Sequence, residues 1–564
     1  MTKFPAIMAV ITTFWVLPAL AESVAGPYLA ARQADYMGDF ETSARYNARL
    51  IVLDSSNLSA MESLIASKVA MGDMKAALQI SDTFVKRGAR SQMVRLLSIA
   101  KAVNSNDFDA VLAQLEAQKD DGHFLVDGLI KGWAMAGAGK TGAAFDQFDE
   151  LARETGLASF GMFHKALLNL VIGDYQSASN ILADLHESAG QTTIRGMRIR
   201  IQALMMQSEF DKANDLFTKS FGDKVNLKMA GLENDLKAKR TPQALLIAEP
   251  RDGIAEIFLS VAQILSSEQN DDYTLLHARL AEYLLRESAE ATLLSAEILS
   301  KMKQFDLATR AFAKINSDDA LFGAAQLGRA DALSQNGNYE GAIEVLQKLT
   351  EIVPDMANAY QALGDDYRSL DRLEDAVGSY SSALDVLDRQ KASNWTLHYS
   401  RGIAYEQLDD WENAEKDFRR ALEIQPNQPY VLNYLGYSLV EKKLKLDEAL
   451  KLIEIAVSLR PESGYIVDSF GWVLFRLSRF VEAVPHLEKA AELMPIDPII
   501  NDHLGDGYWA VGRKREARFQ WNRALSFDPE EVDAIRIRRK LLIGLDDVLN
   551  EEGNNPLELS KSYD

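Results

Sequence analysis

The segment Ala136-Gly137-Ala138-Gly139-Lys140-Thr141 has the glycine–lysine–threonine ending of a phosphate loop, in which backbone N–H groups and a lysine cradle phosphates. The full motif asks for glycine at position 134, which is alanine, and for a strand leading into the loop. Nucleotide chemistry therefore has no complete carrier. The seven histidines (123, 164, 186, 277, 398, 486 and 503) never fall within five residues of each other, so none forms a local metal-binding pair. Asn501-Asp502-His503-Leu504-Gly505-Asp506 sets Asp502 and Asp506 on one helical face, a spacing that suits an acid–base or metal pair and equally suits a solvated face. The absence of cysteine removes thiolate metal sites, Cys nucleophiles, disulfides and lipid attachment at a Cys. No GxSxG, HExxH or glycine-rich dinucleotide loop occurs. No catalytic residue, metal ligand or cofactor is expected.

The elements that would position side chains are helices in a regular repeat. A helix carrying a small residue is followed by a turn, then by a second helix opening on G-[DN]-[YF] with an alanine, an aromatic or leucine four residues on, and often a closing proline. The pattern is clearest in Ala330…Gly337-Asn338-Tyr339…Ala342…Leu346…Pro354. It returns in Gly402…Trp411…Ala414…Phe418…Ala421…Pro426 and in Gly505…Gly512…Ala517…Trp521…Ala524…Pro529. The leading small residues stand at 330, 364, 402, 436, 471 and 505, so the steps are 34, 38, 34, 35 and 34. Upstream the phase persists at Gly38-Asp39-Phe40, Gly72-Asp73-Met74, Asn106-Asp107-Phe108 and Gly173-Asp174-Tyr175. Two antiparallel helices at about 8–10 Å need small side chains where they cross, which accounts for the glycines and alanines. The aromatic or leucine between the alanines is expected to fill the gap to the next repeat. Pro485 falls inside a second helix and is expected to bend it.

This pattern resembles the tetratricopeptide repeat, whose period is 34 residues. The resemblance implies an all-α, right-handed α-solenoid superhelix of about 15 helix pairs, each burying its faces against its neighbours. Along the chain it implies degenerate repeats over 22–219 and poorly matching repeats over 220–295, with a candidate bend. Well-matched repeats follow over 296–529, then a capping helix over 530–550 and a polar tail over 551–564.

In such arrays the concave groove is lined by the first helix of each pair. The family's groove positions fall here on Asn358, Gln361, Asp365 and Arg368, then on Tyr399, Glu406 and Gln407. Tyr430, Asn433, Tyr437 and Glu441 follow, then Tyr465, Asp468, Trp472, Phe475 and Arg476, and finally Asp502, Asp506 and Trp509. Asn and Gln can pair with backbone amides, while Tyr and Trp give flat contact area with a polar handle. Trp472, Phe475 and Trp509 could instead pack against the next repeat. Six acids against two bases favour neutral or basic ligand segments. The basic cluster by which chaperone-binding members capture a terminal carboxylate is missing, so that activity is not carried over.

The segments NYLGYS (433–438), DSFGW (468–472), NDHLGDGYW (501–509) and FQW (519–521) resemble a bacterial subfamily of exported repeat proteins. It includes the lipoprotein adaptor that activates a carboxy-terminal processing protease and brings it cell-wall hydrolases. The resemblance implies a non-enzymatic scaffold or adaptor binding protein or peptide partners, among them a periplasmic protease or cell-wall hydrolase. A periplasmic scaffold for exopolysaccharide synthesis or export is the first alternative, and an enzyme hidden in 220–300 the second.

Composition bounds these readings. The 564 residues carry 61 Lys+Arg and 82 Asp+Glu, a net charge of −21, which argues against nucleic acid or anionic lipid as partner. The N-terminus places Lys3 before a 12-residue apolar stretch, Ala6–Leu17, the breaker Pro18 and the small residues of Ala19-Leu20-Ala21. That is the shape of a signal peptide over 1–21, so a soluble periplasmic protein starting near Glu22 is expected, with no lipid anchor and no transmembrane segment after cleavage; a retained N-terminal anchor is the alternative.

Overall fold

The computed structural model describes residues 24–117, 124–189, 193–221, 230–242, 244–267, 270–285 and 288–553. The signal-peptide stretch and the tail from 554 onward lie outside the described residues. Thirty-one α-helices, and no strand, occur among the described residues. None of these helices is long and apolar enough to cross a membrane. The protein is an all-α repeat solenoid, divided into two compact units, Met1–Val345 and Leu346–Asp564.

The G-D-aromatic signature has a local cause. Its glycine closes the first helix of a pair in the left-handed region, as Gly38 (φ 69°), Gly72 (φ 76°) and Gly173 (φ 86°) do. The aspartate that follows caps the second helix: Asp39 accepts from the Thr42 N–H at 3.0 Å, Asp73 from Ala76 at 3.2 Å and Asp174 from Ser177 at 3.0 Å. The same turn delivers Ala136–Thr141, where Phe124–Gly137 ends and Thr141–Arg153 begins, so the glycine–lysine motif joins two helices.

In the first unit, the helices Pro250–Leu265 (α14) and Asp271–Leu284 (α15) fold back onto earlier ones. The helix α14 packs on Gln92–Asn104, Phe124–Gly137 and Ala158–Val171, and α15 packs on Leu58–Ala70 and Gln92–Asn104. Ile254, Ala255, Ile257, Phe258, Leu259 and Ala262 are all buried, so α14 is apolar around most of its circumference. Polar contacts fix the register: Arg279 donates to the Ala70 carbonyl (3.0 Å) and Arg195 Nε to Glu256 (2.6 Å). A hairpin enclosed on several sides selects buried residues all round, as α14 and α15 show.

The second unit is a run of hairpins. Its first helices are Ala357–Ser369 (α20), Trp395–Gln407 (α22), Pro429–Glu441 (α24), Gly464–Arg476 (α26) and Pro498–Ala510 (α28). Their partners are Leu373–Arg389 (α21), Trp411–Ile424 (α23), Leu446–Leu459 (α25), Phe480–Leu493 (α27) and Lys514–Leu525 (α29). A Cβ on Gly402 would meet Phe418 at 2.7 Å, and one on Gly505 would meet Trp521 at 2.4 Å. The large residue between the alanines thus lies on the glycine of its own hairpin. Phe418 also reaches Tyr434 of the next one, with ring centroids 5.2 Å apart. Gap-filling toward the next repeat is therefore only part of its role.

Candidate partner-binding groove

The expected site residues lie on the first helices of the second unit, from Ala357–Ser369 to Pro498–Ala510. Asn358, Gln407 and Arg476 are exposed, as are Tyr430 (48 %) and Tyr465 (61 %). Gln361, Asp365, Arg368, Tyr399, Glu406, Asn433 and Tyr437 are half-buried. Asp365 accepts the Tyr380 hydroxyl proton at 2.6 Å, which holds it against its own hairpin. Burial raises the Asp365 pKa, and the Tyr380 bond and Arg368 oppose the rise. Tyr399 stands edge-on to Tyr434, their centroids 5.9 Å apart. The Tyr434 hydroxyl approaches Glu406 at 3.4 Å.

The next step is denser. Trp472 donates its indole N–H to Glu441 at 2.9 Å, and Arg476 lies 3.6 Å from the same carboxylate. Trp472 is stacked on Phe475 (4.9 Å, 8°) and on His503 (3.9 Å, 12°). It is only 8 % exposed. Trp472 is therefore a packing residue whose two faces are taken, and its placement as a ligand contact is corrected; the same holds for buried Phe475. Asp468, also buried, receives the His503 Nδ1–H at 2.8 Å. Burial disfavours charge on His503, but the Asp468 carboxylate, with Asp502 and Asp506 beyond it, outweighs burial and raises the imidazole pKa.

Asp502, Asp506 and Trp509 are not open either. The helix Glu531–Ile543 (α30) sends Lys540, fully buried, between the two carboxylates. Its ammonium donates to Asp502 at 2.7 and 2.9 Å and to Asp506 at 2.7 and 2.8 Å. Trp521 adds an indole N–H to Asp506 at 2.9 Å. Burial raises the Asp506 pKa, and Lys540 opposes the rise. The helix Leu545–Glu551 (α31) takes Trp509, whose N–H donates to Asp546 at 2.9 Å. These three groove positions are filled by the C-terminal cap, because a terminal repeat must cover its apolar face and here the covering helix brings a counter-charge. Asp502 and Asp506 are therefore neither a metal pair nor an acid–base pair. Among the described residues no cluster of His, Asp or Glu is arranged to hold a metal ion.

Sequence reasoning missed Lys540, His503 and Ser469 as members of the row. Lys540 carried a signal: it follows Ala534 and Ile537 at threefold spacing on the buried stripe of α30, where a cation needs a partner. His503 points sideways to the preceding hairpin and left no trace in spacing.

One cavity of about 620 Å³ lies in the first unit, walled by Leu125, Leu129, Phe160, Phe163, Leu182 and Ile257 among others. Its two titratable groups are committed to packing partners. His164 Nδ1 accepts the Trp133 indole N–H at 2.9 Å, and Glu256 pairs with Arg195. Burial pushes the His164 pKa down to about 3. No catalytic pair converges there among the described residues.

Two tetratricopeptide-repeat family models match, one over residues 299–365 and the other over 395–428. A TPR repeat-containing protein of Pseudomonas aeruginosa is 30% identical over 183 residues, which is 32% of this chain and 30% of that protein. Human aspartyl/asparaginyl β-hydroxylase is 26% identical over 212 residues, 35% of this chain and 27% of its own length. The chain thus spans less than a third of these two curated relatives. Among solved structures, the Cut9–Hcn1 assembly of the APC/C is 14% identical, covers 93% of this chain and 97% of its own, and has a TM-score of 0.38. Yeast Tom70 is 16% identical, covers 94% and 98%, and has a TM-score of 0.34.

Proposed function

We propose that this chain, which carries tetratricopeptide repeats, is a non-enzymatic scaffold that binds an extended segment of a partner protein along the first helices of its second unit. One observation carries the reading. Ser469 donates its hydroxyl to the Tyr465 carbonyl at 2.9 Å, so it can only accept from Asn433, whose amide nitrogen lies 3.2 Å away. That orients the Asn433 amide and leaves its oxygen buried without a hydrogen-bond partner. A buried acceptor left unpaired costs about 1–3 kcal/mol, and a ligand N–H would recover it. Tyr430 and Tyr465 stand exposed at equivalent places on the same row, as flat anchors beside that acceptor.

The N-terminal sequence supports an exported protein, and with it a periplasmic partner such as a protease or cell-wall hydrolase. N-terminal sequencing should find Glu22 first; membrane-bound material beginning at Met1 would overturn export with cleavage. The binding test places a photo-crosslinking residue at Tyr430 or Tyr465, with Arg420 and Glu423 on α23 as controls. Adducts should form at the tyrosines and fade with Asn433→Ala. Adducts confined to the α23 positions would sink the groove reading. Mass spectrometry of the adduct separates a protease or hydrolase from a component of exopolysaccharide export.

A further inference from the structure

The row shows what it accepts by filling one of its own places. Asn433, Asp468 and Asp502 each stand three residues before the crossing glycine of their helix (Gly436, Gly471 and Gly505), so they are equivalent positions in consecutive hairpins. At the last of them the chain supplies the occupant itself, the Lys540 ammonium, held by four N–O contacts between 2.7 and 2.9 Å. The two preceding positions have no such occupant. Asp468 is 6 % exposed; one carboxylate oxygen receives His503, while the other is buried and takes no hydrogen bond. Asn433 Oδ1 is likewise buried and unpaired, and its amide is anchored to Ser469, the neighbour of Asp468. Among the described residues the nearby cations do not pair with these two oxygens: Arg476 lies against Glu441, Lys442 lies 3.9 Å from Glu406 and 4.0 Å from Asp409, and His503 gives its Nδ1–H to the other Asp468 oxygen.

We propose that Asn433 Oδ1 and Asp468 Oδ1 form a subsite for a basic side chain of the partner segment, a lysine ammonium or an arginine guanidinium. The proposal rests on the groove reading above. Two unpaired acceptor oxygens call for a ligand group that only donates, and these two side chains donate without accepting. A backbone amide, with one N–H, can satisfy one oxygen; an ammonium, with three, has donors for two and adds to the positive charge that the His503 imidazole brings to the buried carboxylate. The net charge of −21 attracts a basic segment before contact. The cap helix α30 is then an internal likeness of the partner: a segment presenting one lysine to the aspartates of this row.

The test selects a phage-displayed random 12-residue library on the full chain, then measures the retained peptides by fluorescence anisotropy. The selected peptides should share one Lys or Arg position. Nε-acetylation of that lysine, which leaves the protein untouched, should weaken binding at least ten-fold. Asp468→Asn should do the same to the unmodified peptide, with helicity matched by circular dichroism. Peptides that bind equally well with acetyl-lysine or norleucine at that position, but lose affinity with Asn433→Ala, would overturn the cation subsite and leave the groove reading standing. Selection that yields no binders, or binders indifferent to Asn433→Ala, would overturn the groove reading and the subsite with it.

Discussion

Replacing Lys540 by Met keeps an unbranched chain of similar length and removes the charge that holds the C-terminal cap. The ammonium has no exposed surface, Asp506 is 1 % exposed and Asp502 8 %, so the two carboxylates would face each other in a water-poor site. Breaking a buried ion pair from one side costs about 3–5 kcal/mol, because the partner charge stays behind. Two groups soften the loss: Arg536 remains 3.8 Å from Asp506 and 4.0 Å from Asp502, and Trp521 still donates to Asp506. The expected loss is therefore near the lower end, about 3 kcal/mol at neutral pH. The sign of its pH dependence follows from Asp506. Burial raises its folded-state pKa even with Lys540 present, and removal of Lys540 raises it further. A carboxyl whose folded pKa lies above its unfolded one binds more protons when folded, so stability rises as pH falls. The deficit should be full at neutral pH and shrink as pH falls through the raised value, and adding Asp502→Asn and Asp506→Asn should recover most of it. Repeat arrays open from their ends, so amide hydrogen exchange over 531–551 is the direct readout, with denaturant unfolding beside it. A deficit below about 1 kcal/mol, or one equal at about pH 5 and pH 8, would show that the charges there are solvated and the reasoning wrong.

The first unit supplies two more expectations. A Cβ on Gly253 would lie 2.2 Å from the Trp133 indole, which is fully buried and tied to His164, so Gly253→Ala should cost about 1–3 kcal/mol by overpacking. An unchanged unfolding midpoint would mean that α14 does not lie against Trp133. His164, with a folded-state pKa of about 3 against the ordinary imidazole value of 6.5, binds fewer protons folded than unfolded. Its contribution is fully present above pH 6.5 and is lost as pH falls toward 3, by at most about 1.4 kcal/mol per pH unit. His164→Gln keeps an acceptor for Trp133 and should flatten that slope; identical slopes for the two proteins would place the acid sensitivity elsewhere.

The repeat was legible because it is written locally. A left-handed glycine, a capping aspartate and small residues where helices cross each leave a mark at fixed spacing, and the helices formed where that spacing set them. The phosphate-loop likeness at 136–141 resolved as a turn for the same reason. Counting back from Gly436 and Gly471 picks out Tyr430 and Tyr465, which are exposed, and Asn433, which is half-buried. What sequence did not contain was which positions the protein would fill from its own chain. Trp472 closes on His503, 31 residues away, and Asp502 on Lys540, 38 residues away; α14 meets Trp133 from about 120 residues further along. Such pairings have no period. They are decided when hairpins stack and a buried charge or ring must find a partner within a few ångströms, and that choice belongs to the packed chain rather than to any stretch of it.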